Sequence, residues 1–325
     1  MASVNASSAC APFNTDTFDV AVACLFFLIF PLSLLLNGVA AWISLHLRST
    51  STFIVYLKNL VAADLLMTLA IPLIAANTLP GSVGPLKVVM CRYTHVVFYC
   101  CLYTSICLMG LISLDRFFKV VRPCGRLWGQ SLAFSHVMSA VVWGVIFGGT
   151  GIPTVVLTNR HPGNVTKSLC MSMKSPAGLS LHAGVVLFMN VLFCSVGVLT
   201  VVCYLCITSK VLRSFRRSGS NNSQGKRKTK LRVFLVLLVF FVCFLPFHMV
   251  RIPFAFHRVH DKPACVPVWM GMAHDFTRWL STTNTCLDPL LYIYLCREFK
   301  EKLDSMLRTG GSIRTHPAES EDASI

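Results

Sequence analysis

Lys226 to Arg251 reads KRKTKLRVFLVLLVFFVCFLPFHMVR, and this stretch decides the fold. It opens on five basic residues, Lys226, Arg227, Lys228, Lys230 and Arg232. Between Val233 and Leu245 there is no charge, and Pro246, His248 and Arg251 then bring a helix-kinking ring and polar groups. Extended to Phe256, the run can cross a bilayer, which takes about 20 mostly apolar residues. A membrane helix with a basic foot, a kink and a cationic far end is suited to couple the two sides of a membrane.

Working outward, residues 20–47, 54–79, 91–117, 134–156, 182–207 and 268–295 form six more such runs, with 231–256 sixth in chain order. The expectation is an all-α membrane protein, a seven-transmembrane helix bundle with a short amphipathic eighth helix. That helix is expected over residues 298–307, with Phe299, Leu303, Met306 and Leu307 toward lipid. The division is an N-terminal segment at 1–19, the bundle at 20–295, the surface helix at 296–308 and a disordered tail at 309–325. Asp288-Pro289 is expected to interrupt the seventh span, and Lys210 to Lys230 to form a mobile basic loop. No positive segment precedes the first span, so that span is expected to act as its own insertion signal.

Composition agrees with a membrane protein. The chain is 54% hydrophobic and 13% charged, against about 25% charge in soluble domains. A net charge of +16 raises nucleic-acid binding, but the basic residues are scattered between apolar runs, which argues against it. Without an internal repeat or paired broken helices, a transporter or channel is a remote alternative. His257 and His260 have no companion ligands and no Gly-x-Ser-x-Gly elbow is convincing, so no enzyme is expected.

Seven spans put the termini on opposite sides. The side facing the loops after spans one, three, five and seven holds 20 Lys and Arg against 9 on the other, and the excess marks the cytoplasm. The acceptor triplets at Asn5 and Asn164 then fall outside, as do Cys10, Cys91, Cys170 and Cys265, enough for two disulfides. Many of the other cysteines among the 15 lie inside apolar runs, as small buried hydrophobes.

Polar groups inside lipid default to functional hypotheses. Asp64, Ser105, Asn284 and Asp288 are expected to converge at mid-depth, either as a site for a small hard cation such as sodium or as a packing network. Asp115-Arg116, at the inner end of span three, reads either as an ion pair at a helix end or as a latch for an intracellular partner. At the outer ends, Tyr99 and Tyr103 share a face of span three, while Phe240, Phe244, His248 and Arg251 share one on span six. His274 and Arg278 do so on span seven, and Lys174 and His182 flank the start of span five. The acids expected near this mouth are Asp261 and Asp275. Single cations here would snorkel to headgroups, but a cluster on three spans points to an anionic, phosphate-bearing ligand with a ring stacked on tyrosine.

An ordered set of residues then resembles the rhodopsin-like (class A) G-protein-coupled receptors. It runs Leu36-Asn37-Gly38, Asn59 to Asp64, Cys91, Asp115-Arg116-Phe117, Trp143, Cys170, Cys243-Phe244-Leu245-Pro246 and Asp288-Pro289-Leu290-Leu291-Tyr292. Within that family, Phe98-Tyr99, Thr158-Asn159-Arg160, Lys174, His182, Phe247 to Phe254 and Asn284 to Pro289 resemble the purinergic branch that senses ADP and UDP-sugars. The resemblance implies a plasma-membrane receptor with its N-terminus outside, binding a nucleotide diphosphate near Arg251 and Lys174 with the base near Tyr99. It implies Gi-type coupling, arrestin and receptor kinases as further partners, and disulfides Cys91–Cys170 and Cys10–Cys265. It also implies activation roles for Asp115, Arg116, Tyr204, Phe240, Phe244, Pro246, Asp288, Pro289 and Tyr292, with no cofactor beyond an allosteric sodium ion. Four positions depart from the pattern. His274 stands where a lysine is usual, Val186 where the ADP receptor has an Asn, Phe117 for Tyr, and Phe244 for Trp. A lysophospholipid or related lipid mediator is the alternative ligand.

Overall fold

The structure is a computed structural model. It describes residues 14–49, 51–121, 131–160, 169–217, 223–260, 267–295 and 297–312. Six helices among these are long and apolar enough to span a membrane. They are α1 (Asp16–His46), α2 (Thr52–Thr78), α3 (Gly84–Val121), α4 (Leu132–Leu157), α5 (Pro176–Arg217) and α6 (Ser223–His260). The seventh, α7, comes in two pieces, Val268–Thr282 and Asn284–Leu295, and α8 (Arg297–Ser312) follows. Helices are dictated here because lipid offers the backbone no hydrogen bonds.

The packing is inside out relative to a soluble protein. Leu28, Leu45, Trp42, Leu69, Val198 and Phe234 are exposed, whereas Ser33, Asn37, Asp64, Thr68, Ser105 and Asn284 are fully buried. An apolar outer face suits lipid, and the polar seam has to be satisfied within the protein. Aromatic rings fill the space above it. Phe193 stacks on Phe240 at 5.5 Å, and Phe240 meets Phe244 edge-on at 5.6 Å.

Three expectations about elements are corrected. The Lys210-to-Lys230 loop is mostly helix: α5 continues to Arg217 and α6 begins at Ser223. Lys and Arg are good helix formers with long apolar stems, so a basic run can extend a span instead of ending it. The break in α7 falls at Thr283, six residues before Pro289 and just ahead of the turn that the proline weakens. Pro289 leaves the Thr285 carbonyl without its usual helical donor, and Asn37 Nδ2 supplies one at 2.7 Å. Finally, α8 does not turn Phe299 to lipid. Phe299 is buried against Tyr292, with ring centroids 6.1 Å apart, and Leu303 and Met306 pack on the same inner cluster.

A candidate anion cavity and the polar seam beneath it

The outer ends of the helices enclose a cavity of about 870 Å³. Its cover is built from α3 and the segment between α4 and α5. The disulfide Cys91–Cys170 ties α3 to a one-turn helix, Leu169–Ser172. Arg92 Nε donates to the Thr158 carbonyl at 2.8 Å, and Ser175 N to the Leu157 carbonyl at 3.0 Å. These bonds hold Lys174 over the cavity. Cys10, Cys265, Asp261 and the triplets at Asn5 and Asn164 lie outside the described residues.

Tyr99, Tyr103, Lys174, His182, Arg251, His274 and Arg278 all line the cavity. His248 is not among the lining residues. It shares a helix face with Arg251 but sits about one turn deeper. There Nδ1 is 2.8 Å from the Phe244 carbonyl, and the ring stacks on Phe193 at 3.8 Å. Helical periodicity assigns a face, not a depth.

Arg251 is buried, with Nη1 donating to Tyr103 Oη at 2.7 Å and Cζ 4.2 Å from the Tyr99 ring centroid. Cation–π contact and hydrogen bond together hold the guanidinium at the floor without a carboxylate. Arg278 is placed differently. Its Nη2 lies 3.2 Å from Asp275 Oδ1 and its Nη1 3.4 Å from His95 Nε2. His274 Nδ1 is 3.3 Å from the same Asp275 oxygen, and its ring stacks on Phe254 at 4.2 Å.

Lys174 is only 5% exposed, and its Nζ reaches Thr158 Oγ1 at 3.4 Å. No carboxylate pairs with it among the described residues. Burial pushes this ammonium down to about 8.

The expected balance of acids needs correction. Asp16 and Asp19 also line the cavity, from the first turn of α1, where helix N-termini favour carboxylates. Lys87 joins them unforeseen, because the Pro and Gly of residues 80–85 suggest a loop while α3 starts at Gly84. The lining thus carries four basic side chains, Lys87, Lys174, Arg251 and Arg278, besides histidines, against three carboxylates, Asp16, Asp19 and Asp275. The acids stand on α1 and α7, so the side formed by Arg251 and Lys174 stays positive. Beside it, Val185, Val186 and Met189 make the α5 wall apolar.

Below the cavity, Ser105 Oγ donates to Asp64 Oδ1 at 2.9 Å and Tyr292 Oη to Asp64 Oδ2 at 2.7 Å. Asn284 Nδ2 donates to Asp288 Oδ2 at 2.7 Å, and Asp64 and Asp288 interact directly. The expected four residues therefore converge. Asn284 Oδ1 and Asp288 Oδ1 are buried without a hydrogen-bond partner. Unsatisfied oxygens of this kind are ones a small hard cation can take up. Groups of three or more His, Cys, Asp or Glu fit to hold a metal are absent among the described residues.

At the inner end Asp115 is buried, so it is no solvated surface pair. It accepts from Thr52 Oγ1 and from Lys119 Nζ, the latter at 2.8 Å. Arg116 Cζ lies 4.8 Å from the Phe53 ring centroid. Tyr204 packs with Ile207 and Val236, and Leu291 of α7 closes against them. Pro246 lies in mid-α6, two residues above Phe244.

The family model for the 7 transmembrane receptor (rhodopsin family) matches residues 36–292, and the chain belongs to that family. It is a multi-pass membrane receptor, not an enzyme. Among its relatives, purinoceptor 13 of Homo sapiens is 35% identical, covering 100% of this chain and 92% of that receptor. Purinoceptor 14 of Bos taurus is 34% identical over 93% of this chain and 89% of its own length. G-protein coupled receptor 87 of Mus musculus is 40% identical over 89% of this chain and 80% of its own. These likenesses put the chain in the purinergic branch of the family.

Proposed function

We propose that this receptor binds an extracellular phosphate-bearing anion in the cavity of Arg251 and Lys174. A nucleotide comes first, of the ADP or UDP-sugar type that the sequence resemblance implies; two relatives are named purinoceptors. The reading rests on Lys174. A buried ammonium whose one partner among the described residues is a hydroxyl is costly until an anion arrives. Tyr99, Tyr103, His182, His274 and Arg278 complete the site, and His248 supports its floor from beneath. Arg251 lies over Tyr99, so a base reaching that ring must move the guanidinium, and phosphate is the group that can draw it away. At Arg278 the ligand competes with Asp275.

Phosphate drawn between Arg251 and Arg278 pulls α6 toward α7 at the mouth. Pro246 removes one backbone bond and lets α6 pivot, so that its basic foot swings away from Tyr204 and uncovers Arg116. Asp115, Phe240, Phe244, Asp288, Pro289 and Tyr292 repack in the same transition. The ligand acts only so far as it prefers the open form. A Gi-type G protein is the partner, with arrestin and receptor kinases reading the same inner face. The N-terminus is outside and the C-terminus cytoplasmic at the plasma membrane. A second disulfide joins Cys10 and Cys265, and Asn5 and Asn164 carry glycans. A sodium ion held by Asp64, Ser105, Asn284 and Asp288 favours the closed form. One observation favours the second reading, a lysophospholipid: the apolar α5 wall suits a hydrocarbon chain better than a ribose.

The test is inhibition of cAMP accumulation by ADP, UDP-glucose and a lysophosphatidic acid in transfected cells. Arg251→Ala shifts the response to the active ligand roughly 10- to 100-fold, the size of a lost charge-assisted bond, with surface expression unchanged. An unaltered dose–response curve removes the site.

A further inference from the structure

A groove of about 320 Å³ lies on the lipid side between α4 and α5. Above it the two helices are pinned. A Cβ at Gly178 would come within 2.7 Å of the Leu157 carbonyl oxygen, so only glycine permits that approach. Below this point the helices part. Residues Gly144–Gly151 of α4 are wound as a π-helix, a wider turn that often marks a functional position. Gly151 leans on α3, where a Cβ would meet Cys100 Sγ at 3.0 Å. That lean carries α4 away from α5. In the gap Gly149 and Gly184 are both exposed, and a Cβ on either would find nothing within 4 Å. Val145 and Phe188 form the apolar sides.

The groove abuts the cavity, and Thr150 and Val185 form the wall they share. Cys100 lines the cavity together with Arg251, and Cys100 Sγ and Thr150 Oγ1 both donate to the Ile146 carbonyl, at 3.8 and 2.5 Å. These two side chains stand between the lateral gap and the cavity that holds Arg251, and the α5 wall of that cavity is Val185, Val186 and Met189.

We propose that this gap is a lateral window for the second ligand class named above, admitting a single-chain anionic amphiphile whose hydrocarbon tail lies between α4 and α5. The proposal rests on the anion cavity above and adds the apolar half of its occupant. An amphiphile in the outer leaflet that entered by the aqueous mouth would have to bring its chain through water, which slows entry roughly fourfold per methylene. Through the window the phosphate reaches Arg251 while the tail stays in hydrocarbon.

The experiment measures competition against labelled 1-oleoyl lysophosphatidic acid on receptor in phosphatidylcholine nanodiscs. Competitors are the 18-carbon lysophosphatidic acid and its 6-carbon homologue. Gly149→Leu and Gly184→Leu, which fill the gap without meeting protein, are expected to weaken the 18-carbon competitor at least tenfold and the 6-carbon one less than twofold. Gly148→Leu, in equally open space but outside the groove, leaves both unchanged. Arg251→Ala weakens both. If the gap-filling variants leave the 18-carbon competitor within twofold of wild type, or no saturable binding occurs, the window is overturned. A bilayer phospholipid filling the groove instead gives that same insensitivity. If the gap variants act but Arg251→Ala does not, the anion site falls and the groove stands alone.

Discussion

At the scale of single residues, the cavity places two cations in different ways. Arg251 rests on aromatic faces and a phenol, while Lys174 rests on one hydroxyl. Burial brings the proton loss of the lysine toward neutrality. Its folded value, about 8, lies below its ordinary 10.5. Between those two values the unfolded chain binds more protons than the native one, so the stability of the unliganded receptor rises with pH across that window. Anion binding has the opposite sign, because it needs the charged form. Affinity for a phosphate-bearing ligand is expected to fall as pH climbs through 8, and Lys174→Arg is expected to flatten that fall. Binding isotherms from pH 6.5 to 9.5 on both proteins check this, and parallel slopes would sever Lys174 from the ligand. These two side chains are legible as candidates from residue type and position. Asp16, Asp19 and Lys87 are not, because their place at the mouth follows from where α1 and α3 begin.

At the scale of elements, α7 shows how a local break is repaired from elsewhere. Pro289 frees the Thr285 carbonyl, and Asn37 of α1 answers it across the bundle. Ser33 reinforces the same joint by donating to Thr285 Oγ1 at 2.7 Å. Asn37→Ala leaves a buried carbonyl unpaired and is expected to cost about 1–3 kcal/mol. The measurement is the unfolding midpoint of purified receptor in detergent, expected several degrees lower; an unchanged midpoint means that Thr285 finds another donor. The proline is visible in the sequence, but its partner lies 248 positions away from Thr285. The foot of α6 gives the converse lesson. Basic residues suggest a loop because they end the apolar run, yet helix persists wherever intramolecular bonds remain the best available, including beyond the lipid.

For the whole molecule, we propose an orientation from the charge asymmetry, with the N-terminus outside and the C-terminus cytoplasmic. Epitope tags at the two termini test this. The N-terminal tag is expected to stain on intact cells and the C-terminal tag only after permeabilisation, while both on one side would require a lost or added span. Polar and aromatic contacts form one seam between the two faces, and the proposed coupling would run through it. The cavity floor at Tyr103 and Arg251 stands above Ser105 and Asp64, and Tyr292 links Asp64 to the packing of α8 through Phe299. A ligand that moves Arg251 acts on the top of this seam, and a partner at Arg116 meets its foot.

Hydropathy, charge bias and the spacing of Asn37, Asp64, Asp115-Arg116, Pro246 and Asp288-Pro289 determined by themselves that the chain threads a membrane seven times. Those signals are local, and lipid imposes the helix on each apolar run independently. Tertiary structure alone decided that His248 lies under the cavity, that Phe299 turns inward, that three acids share the mouth and that α4 and α5 part around Gly149 and Gly184. Depth, facing and gaps depend on how neighbouring helices lean on one another, and no single run of residues carries that.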